Sequence, residues 1–226
     1  ILEDKIKEVK HNLGNLVDYA INYFKDLKTK YGKGRGRKTE IKTFENIVAT
    51  KVVVANKKLY VNKEEGFIGT SMRKDEYICD CSDIDDIIAF KKDGTFMVSK
   101  VDSKVFMGKN IIHCAVFKKK DNRTVYNMIY KDGGKGINYI KRFSVTGVTR
   151  NKDYSLCKTD KGSKVLYFTS NTNGEAEVVT VHLRALKKLK KLRFDSDFSE
   201  IVIKGRSSGG NILSKNSIKK IELKSE

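Results

Sequence analysis

Proline and tryptophan are both absent from the 226 residues. Nothing in the composition explains the missing proline, which loops between strands would tolerate. Cysteine is scarce: four residues, at 79, 81, 114 and 157, are scattered along the chain. That usage argues against a disulfide framework and suits a reduced, cytoplasmic protein. No apolar run reaches the length of a membrane span, so no transmembrane helix is expected. The opening stretch, ILEDKIKEVK, is charged and has no signal-peptide core. It also lacks an initiator Met, which points to a fragment of a longer protein.

The groups that catalysis needs are sparse as well. His11, His113 and His182 are far apart; the first falls on a helical pattern and the others in apolar strands. Cys79-Asp80-Cys81 would be half of a zinc site, but tetrahedral sulfur sites use a second pair or matching histidines. Cys114 and Cys157 do not supply it, so buried thiols are expected. Asp80, Asp83, Asp85 and Asp86 form the main acidic cluster without the spacing of a calcium loop, which predicts a solvated loop. Lys131–Gly136 (KDGGKG) is only superficially like a phosphate loop, because GxxxxGK[ST] opening a helix is missing. A glycine turn is the expectation there. No catalytic residue and no metal ligand is assigned, and the chain reads as a binder.

What is present is a recurring hairpin. In Asp86–Val101, DIIAFKKDGTFMVSKV, two apolar arms flank Asp93-Gly94, and Asp-Gly supplies the positive φ angles of a tight turn. A looser copy covers Val52–Val61. Others run from Met128 into Ile137–Phe143, from Val165 into Val178–Val181, and from Ile201 into Asn211–Ser214. With Val53, Ile88, Met128, Leu166 and Val202 as equivalents, the spacings are 35, 40, 38 and 36 residues. A near-constant period signals a solenoid, propeller or array. The inner runs VVV, IIAF, VLYF and IVI are apolar at consecutive positions, as in strands covered on both faces. Sheets stacked as blades cover each other in that way. The expected fold is all-β, a propeller-like array of about five blades preceded by an N-terminal α-helix.

Residues 1–31 are different. Leu2, Ile6, Val9, Leu13, Leu16, Ala20, Phe24, Leu27 and Tyr31 recur three or four apart, which predicts one amphipathic helix. Gly32-Lys-Gly-Arg-Gly-Arg37 then breaks the period. The domain reading is therefore 1–31 helix, 32–42 Gly/Arg-rich linker and domain start, and 43–226 bladed domain.

Charge suggests the ligand. The net charge is +19, and the helix holds six lysines against five acids, so +18 lies in residues 32–226. Cations cluster at turns and connections: Arg35 and Arg37, Arg73 and Lys74, Lys91 and Lys92, Lys118 to Lys120 (Lys118, Lys119, Lys120) with Arg123, Lys141 and Arg142, Lys187, Lys188, Lys190, Lys191 and Arg193, and Lys204 with Arg206. Taken singly each is a solvated face. Together, at the period of the blades, they predict a basic rim for duplex DNA, held by counterion release. Aromatics are few in these clusters, which disfavours stacking on single strands. Nothing resembles a major-groove recognition helix, so readout should be largely independent of sequence. Arg184–Arg193 (RALKKLKKLR) is expected to be a blade connection pinned by leucines, lysines outward. A propeller that binds an acidic protein, or RNA, is the alternative.

The residues also carry a resemblance. GRKTEI (36–41) after an amphipathic helix, then DDIIAFKKDGTFMVSKV and NMIYKDGGKGINYIKRFSVTGV, resemble the C-terminal domain of bacterial type IIA topoisomerase A subunits. The likeness runs from the helix to the C-terminus and is nearer to topoisomerase IV than to gyrase. It implies a β-pinwheel that bends duplex DNA and presents a segment for strand passage, with residues 1–31 as the tail of the breakage–reunion core. The gyrase box QRRGGKG has no counterpart in Glu64–Lys74, and Lys204–Gly210 is a degenerate echo of it, which speaks against chiral wrapping. The resemblance places the catalytic tyrosine, its neighbouring arginine and the ATPase domain outside this chain. It implies no cofactor for the fragment and ATP and Mg for the parent enzyme. It implies as partners a homodimer of A subunits, together with an ATPase B subunit, no membrane, and a cytoplasmic, nucleoid-associated location.

Overall fold

The computed structural model describes residues 1–36, 56–159, 161–185 and 189–224. The chain divides into two units, Ile1–Ile47 and Val48–Glu226. The described residues of the first hold two helices where the sequence predicts one: α1 (Leu2–Gly14) and α2 (Leu16–Tyr31). Between them Asn15 leaves helical geometry at φ −125°, ψ 51°, its backbone and side-chain N–H groups both donating to the His11 carbonyl. Glycine weakens a helix interior and asparagine competes with it by local hydrogen bonding, so the pair at 14–15 overrides the continuous stripe. Leu2, Ile6, Val9, Leu13, Leu16 and Phe24 of that stripe are exposed in this chain.

The second unit is all β, in four sheets among the described residues. Each is built on a hairpin. In the first sheet β1 (Lys57–Asn62) pairs β2 (Phe67–Gly69), and β3 (Glu76–Cys81) flanks β1. In the second, β4 (Asp86–Lys91) pairs β5 (Thr95–Lys100); β6 (Val105–Phe106) leaves to pair β2, and β7 (Ile111–Phe117) flanks β4. In the third, β8 (Val125–Lys131) pairs β9 (Asn138–Ser144); β10 (Tyr154–Ser155) leaves to pair β5, and β11 (Lys164–Asn171) flanks β8. In the fourth, β12 (Val178–Leu183) pairs β13 (Arg193–Asp197); β14 (Ile203–Gly205) and β15 (Asn211–Ser214) leave to pair β9, and β16 (Ile218–Leu223) flanks β12. Every repeat after the first thus lends a strand to the sheet before it.

The hairpin read most directly from sequence forms as expected. Gly94 has φ +82°, its N–H donates to the Lys91 carbonyl at 3.0 Å, and Asp93 Oδ1 accepts from the Thr95 N–H and hydroxyl. The equivalences of the other copies change. Val52–Ala55 lie outside the described residues, and Lys57–Val61 is one continuous strand. The first hairpin turns instead at Lys63–Gly66. Leu166 sits in β11, a third strand, and Val202 lies outside any strand, so neither begins a hairpin. Of the acidic cluster expected to form a loop, Asp80 belongs to β3 and Asp86 to β4. All four cysteines are free, and burial pushes the Cys81 thiol up to about 11 and those of Cys114 and Cys157 to about 12.

Three clusters between successive sheets form the core. Leu59, Val61 and Ile68 meet Ile87 and Ala89; Ile88, Phe90 and Phe96 meet Tyr126, Met128 and Phe143; Ile129 and Ile140 meet Val179, Val181 and Phe198. Adjacent strand residues point to opposite faces. In the run Ile87-Ile88-Ala89-Phe90, alternate residues therefore fill different clusters, which is why all four are apolar. Each of the larger ones, Ile87, Ile88 and Phe90, contributes on the order of 1.5–3 kcal/mol when fully buried. Phe90 sits at the centre of the middle cluster, its ring 4.6 Å from that of Tyr126 and 4.7 Å from that of Phe168.

Close approach of backbone sets one sharp requirement. A Cβ on Gly133 would lie 1.9 Å from the Lys161 carbonyl oxygen, against backbone rather than a movable side chain. Gly133→Ala is expected to lower stability by about 1–3 kcal/mol through overpacking. A chemical-denaturation midpoint unchanged in that variant would show that the turn yields freely.

Candidate nucleic-acid interface

Cations at the surface of the second unit sort by what holds them. Lys57 pairs with Asp83, Lys63 with Glu76, Lys224 with Asp195 and Arg150 with Asp86. Of the clusters expected from sequence, Arg73, Lys74, Lys92, Lys118, Lys119, Lys120, Arg123, Lys190, Lys191, Arg193 and Lys204 are exposed, and none has an ion-pair partner among the described residues. Arg35 is exposed too, in the first unit. Arg37, Lys187 and Lys188 lie outside the described residues.

Lys118–Arg123 is the most constructed of these clusters. It joins β7 to β8, between the second and third hairpins. Lys120 holds φ +65°, an uncommon conformation for lysine, and its N–H donates to the Thr146 carbonyl at 2.8 Å. Asp121 turns its carboxylate onto its own loop: Oδ1 accepts from the Arg123 N–H and Oδ2 from the Thr124 hydroxyl. Those bonds hold Asp121 below the usual carboxylate range, so it stays ionised and offsets one of the four cations beside it. The four cations line a cleft of about 770 Å³ together with Ser170, Thr172 and the acids Asp80, Asp85 and Asp121. Asp85 accepts from the Ser82 N–H and Asp80 from the Tyr77 hydroxyl. Four cations against three acids, with hydroxyls beside them, leave a small positive excess of the kind that a phosphodiester contact uses. A second recess, about 540 Å³, gathers Lys58, Arg73 and Thr70 beside the ion-paired Lys57.

Three cations expected on the rim are not there. Lys141 is 1% exposed, and its ammonium donates to the carbonyls of Leu156, Arg206 and Ser208 at 2.9, 3.0 and 2.7 Å. Arg142, on the opposite face of β9, is 6% exposed. It donates to Asn127 Oδ1 and to the carbonyls of Phe198, Gly174 and Glu175. Lys91 is buried at the end of β4, where its ammonium meets Asp153 at 2.7 Å. The physical reason is shared: a strand covered on both faces buries whatever it carries, charged or not. These residues hold repeats together, because their partners lie on the connections of the third and fourth repeats. Burial presses the Lys141 amine down to about 8.

Arg184–Arg193 also differs from expectation. It closes the β12–β13 hairpin instead of connecting blades, with the Leu183 N–H donating to the Leu192 carbonyl at 2.7 Å. Leu189 packs on the third core cluster while Lys190 and Lys191 stay exposed. Lys131–Gly136 is a glycine turn whose anion is internal: Asp132 Oδ2 accepts from the N–H groups of Gly134 and Lys135. The histidines do not converge. His11 is exposed on α1, His182 meets Glu222, and His113 sits among Phe90, Tyr126 and Phe168 with burial lowering its basicity.

Sequence reasoning passes over a further group. Lys152 and Lys158 belong to none of the expected clusters, yet each lies over an aromatic ring, as does Arg206. The pairing of Arg206 with Tyr154 spans two repeats, and no local pattern signals it.

Comparison with known proteins agrees with this architecture. Residues 58–226 match the family described as topoisomerase C-terminal domain, Bacteroidota. The A subunit of DNA topoisomerase 4 from Borreliella burgdorferi (strain B31) is 25% identical over 225 residues, covering 99% of this chain and 34% of that protein. The chain therefore spans about a third of the length of that relative. A crystal structure of the C-terminal domain of DNA topoisomerase IV superposes with a TM-score of 0.54 at 12% identity, over 77% of this chain and 63% of the other. That likeness shows the fold, a β-pinwheel without a closed barrel.

Proposed function

Because the chain belongs to the topoisomerase C-terminal domain family of Bacteroidota, we propose that its second unit binds and bends duplex DNA through the backbone. In this reading it presents a segment to the strand-passage machinery of a topoisomerase IV-like enzyme. The observation that carries the proposal is the set of exposed cations without carboxylate partners among the described residues, recurring in every repeat on turns, connections and strand edges: Arg73 and Lys74, Lys92, Lys118 to Lys120 with Arg123, Lys190 with Lys191 and Arg193, and Lys204. Cations already neutralised by carboxylates release no counterions from DNA; unpaired ones do.

The second unit contributes no bond-breaking chemistry in this reading. The ATP and Mg of the type IIA reaction act in the parent enzyme, and the partners are the rest of the A subunit together with an ATPase subunit. No helix among the described residues is long and apolar enough to cross a membrane. A DNA-associated, cytoplasmic location follows from the same reading, and residues 1–31 serve as the tail of the upstream core.

A salt titration tests the proposal. On a duplex of mixed sequence, affinity is expected to fall roughly a thousandfold between about 50 and 200 mM salt, the behaviour of about six or more phosphate contacts. Permuting the base sequence should change it little. Binding that ignores salt, or that prefers an acidic polypeptide to the duplex, would instead favour a protein-interaction module.

A further inference from the structure

The connections of the third and fourth repeats meet over Tyr154, and there cations are held by rings rather than by carboxylates. The Arg206 guanidinium lies 4.1 Å from the Tyr154 ring centre and Lys152 Nζ 5.6 Å from it. Lys158 Nζ lies 4.1 Å from the centre of Tyr139. Nearby, Lys91 and Arg150 are held by Asp153 and Asp86. The two kinds of partner differ in consequence. A carboxylate cancels the charge it fixes, whereas a π face fixes a cation and leaves its positive field and its N–H edge available.

The backbone beneath the group is fixed as well. The carbonyls of Arg206 and Ser208 are gripped by the buried Lys141 ammonium, and that of Gly209 accepts from the Tyr130 hydroxyl at 2.7 Å. The Tyr154 hydroxyl accepts from the Thr149 N–H at 2.9 Å. Ring and loop are thus ordered before any ligand arrives, which lowers the entropy lost on binding.

We propose that Arg206, Lys152 and Lys158, ordered on Tyr154 and Tyr139, form a clamp for adjacent phosphodiester groups of duplex DNA. Lys141 acts as a positioning residue beneath it. The proposal rests on the duplex-DNA reading above and adds to it a defined anchoring point and two cations, Lys152 and Lys158, that stand outside the expected rim.

The test uses the full chain, a fluorescent duplex of mixed sequence and the salt dependence of binding, with thermal melting as the check on folding. Arg206→Gln and Lys158→Gln are each expected to reduce the log–log salt slope by about 0.9, one phosphate contact apiece. The decisive variant changes no charge. Tyr154→Leu should weaken binding about threefold, the size of an exposed cation–π contact, whereas Tyr154→Phe, which keeps the ring, should retain wild-type affinity. Wild-type affinity and slope in Arg206→Gln, Lys158→Gln and Tyr154→Leu together would overturn the clamp while leaving the DNA reading intact. If Tyr154→Leu fails to fold, unchanged slopes in the two glutamine variants overturn it alone. A wild-type chain that does not bind duplex at all would remove the DNA reading, and the clamp with it.

Discussion

Arg142→Met is expected to lower the unfolding free energy by about 3–5 kcal/mol, among the largest effects available to a single side chain. Methionine nearly matches the length of the arginine stem and keeps much of its packing, but it donates nothing. The Asn127 amide oxygen and the carbonyls of Phe198, Gly174 and Glu175 now receive bonds at 3.0, 3.3, 2.6 and 3.1 Å. Each acceptor orphaned away from water costs about 1–3 kcal/mol. Three of the four are backbone groups, so no compensating substitution can remove them. Arg142→Lys should fall between, since one ammonium cannot span four acceptors in a plane. Urea denaturation measures both, and a methionine variant within about 0.5 kcal/mol of wild type, the range of an ordinary surface change, would mean that water reaches these carbonyls.

Lys141 should make stability depend on pH in a direction unusual for a paired lysine. Burial lowers its folded pKa to about 8 from an ordinary 10.5, with the amine held among three carbonyls. Between pH 8 and 10.5 the unfolded chain therefore keeps a proton that the folded chain has released. Unfolding takes up that proton, so the contribution of this residue to stability rises with pH across the window, by up to about 3 kcal/mol. Below pH 8 the full cost of burying the charge is present. Cys157, the neighbouring ionisable group, has its thiol pushed up to about 12 and stays neutral over the range. Subtracting the pH–stability curve of Lys141→Met from that of the wild type isolates the effect. A flat difference between pH 8 and 10.5 would return the lysine to its ordinary value and refute the prediction.

Both residues show where the sequence can be read and where it cannot. The run IIAF announces a strand covered on both faces, and Ile87 to Phe90 do divide between two clusters. The same logic applies to β9, where Lys141 and Arg142 follow Ile140 and precede Phe143. Two adjacent cations in such a strand must point into two different interfaces, which is where they are found. As a surface cluster they look like rim, because composition records charge and is blind to the carbonyls that receive it. The hairpin at Asp93-Gly94 is legible because its turn chemistry is local. Leu166 mimics a hairpin arm because a long flanking strand followed by a glycine turn has the same local pattern, and Val202 because it stands just before the short β14 and its own glycine turn. Strands as short as β6 and β10 have no period of their own. They exist because an edge in the preceding sheet accepts them.

Strand lending makes this array hard to edit by recombination. In a tandem protein with self-contained modules, one module can be deleted or duplicated at its borders and the neighbours survive. Here a crossover after β3 would strip β6 from the first sheet, one after β7 would strip β10 from the second, and one after β11 would strip both β14 and β15 from the third. Ends that look clean in the gene are ragged in space. A viable change in repeat number must carry half of one sheet and half of the next as its unit of exchange, so the seam that evolution can cut lies inside the sheets and not between them.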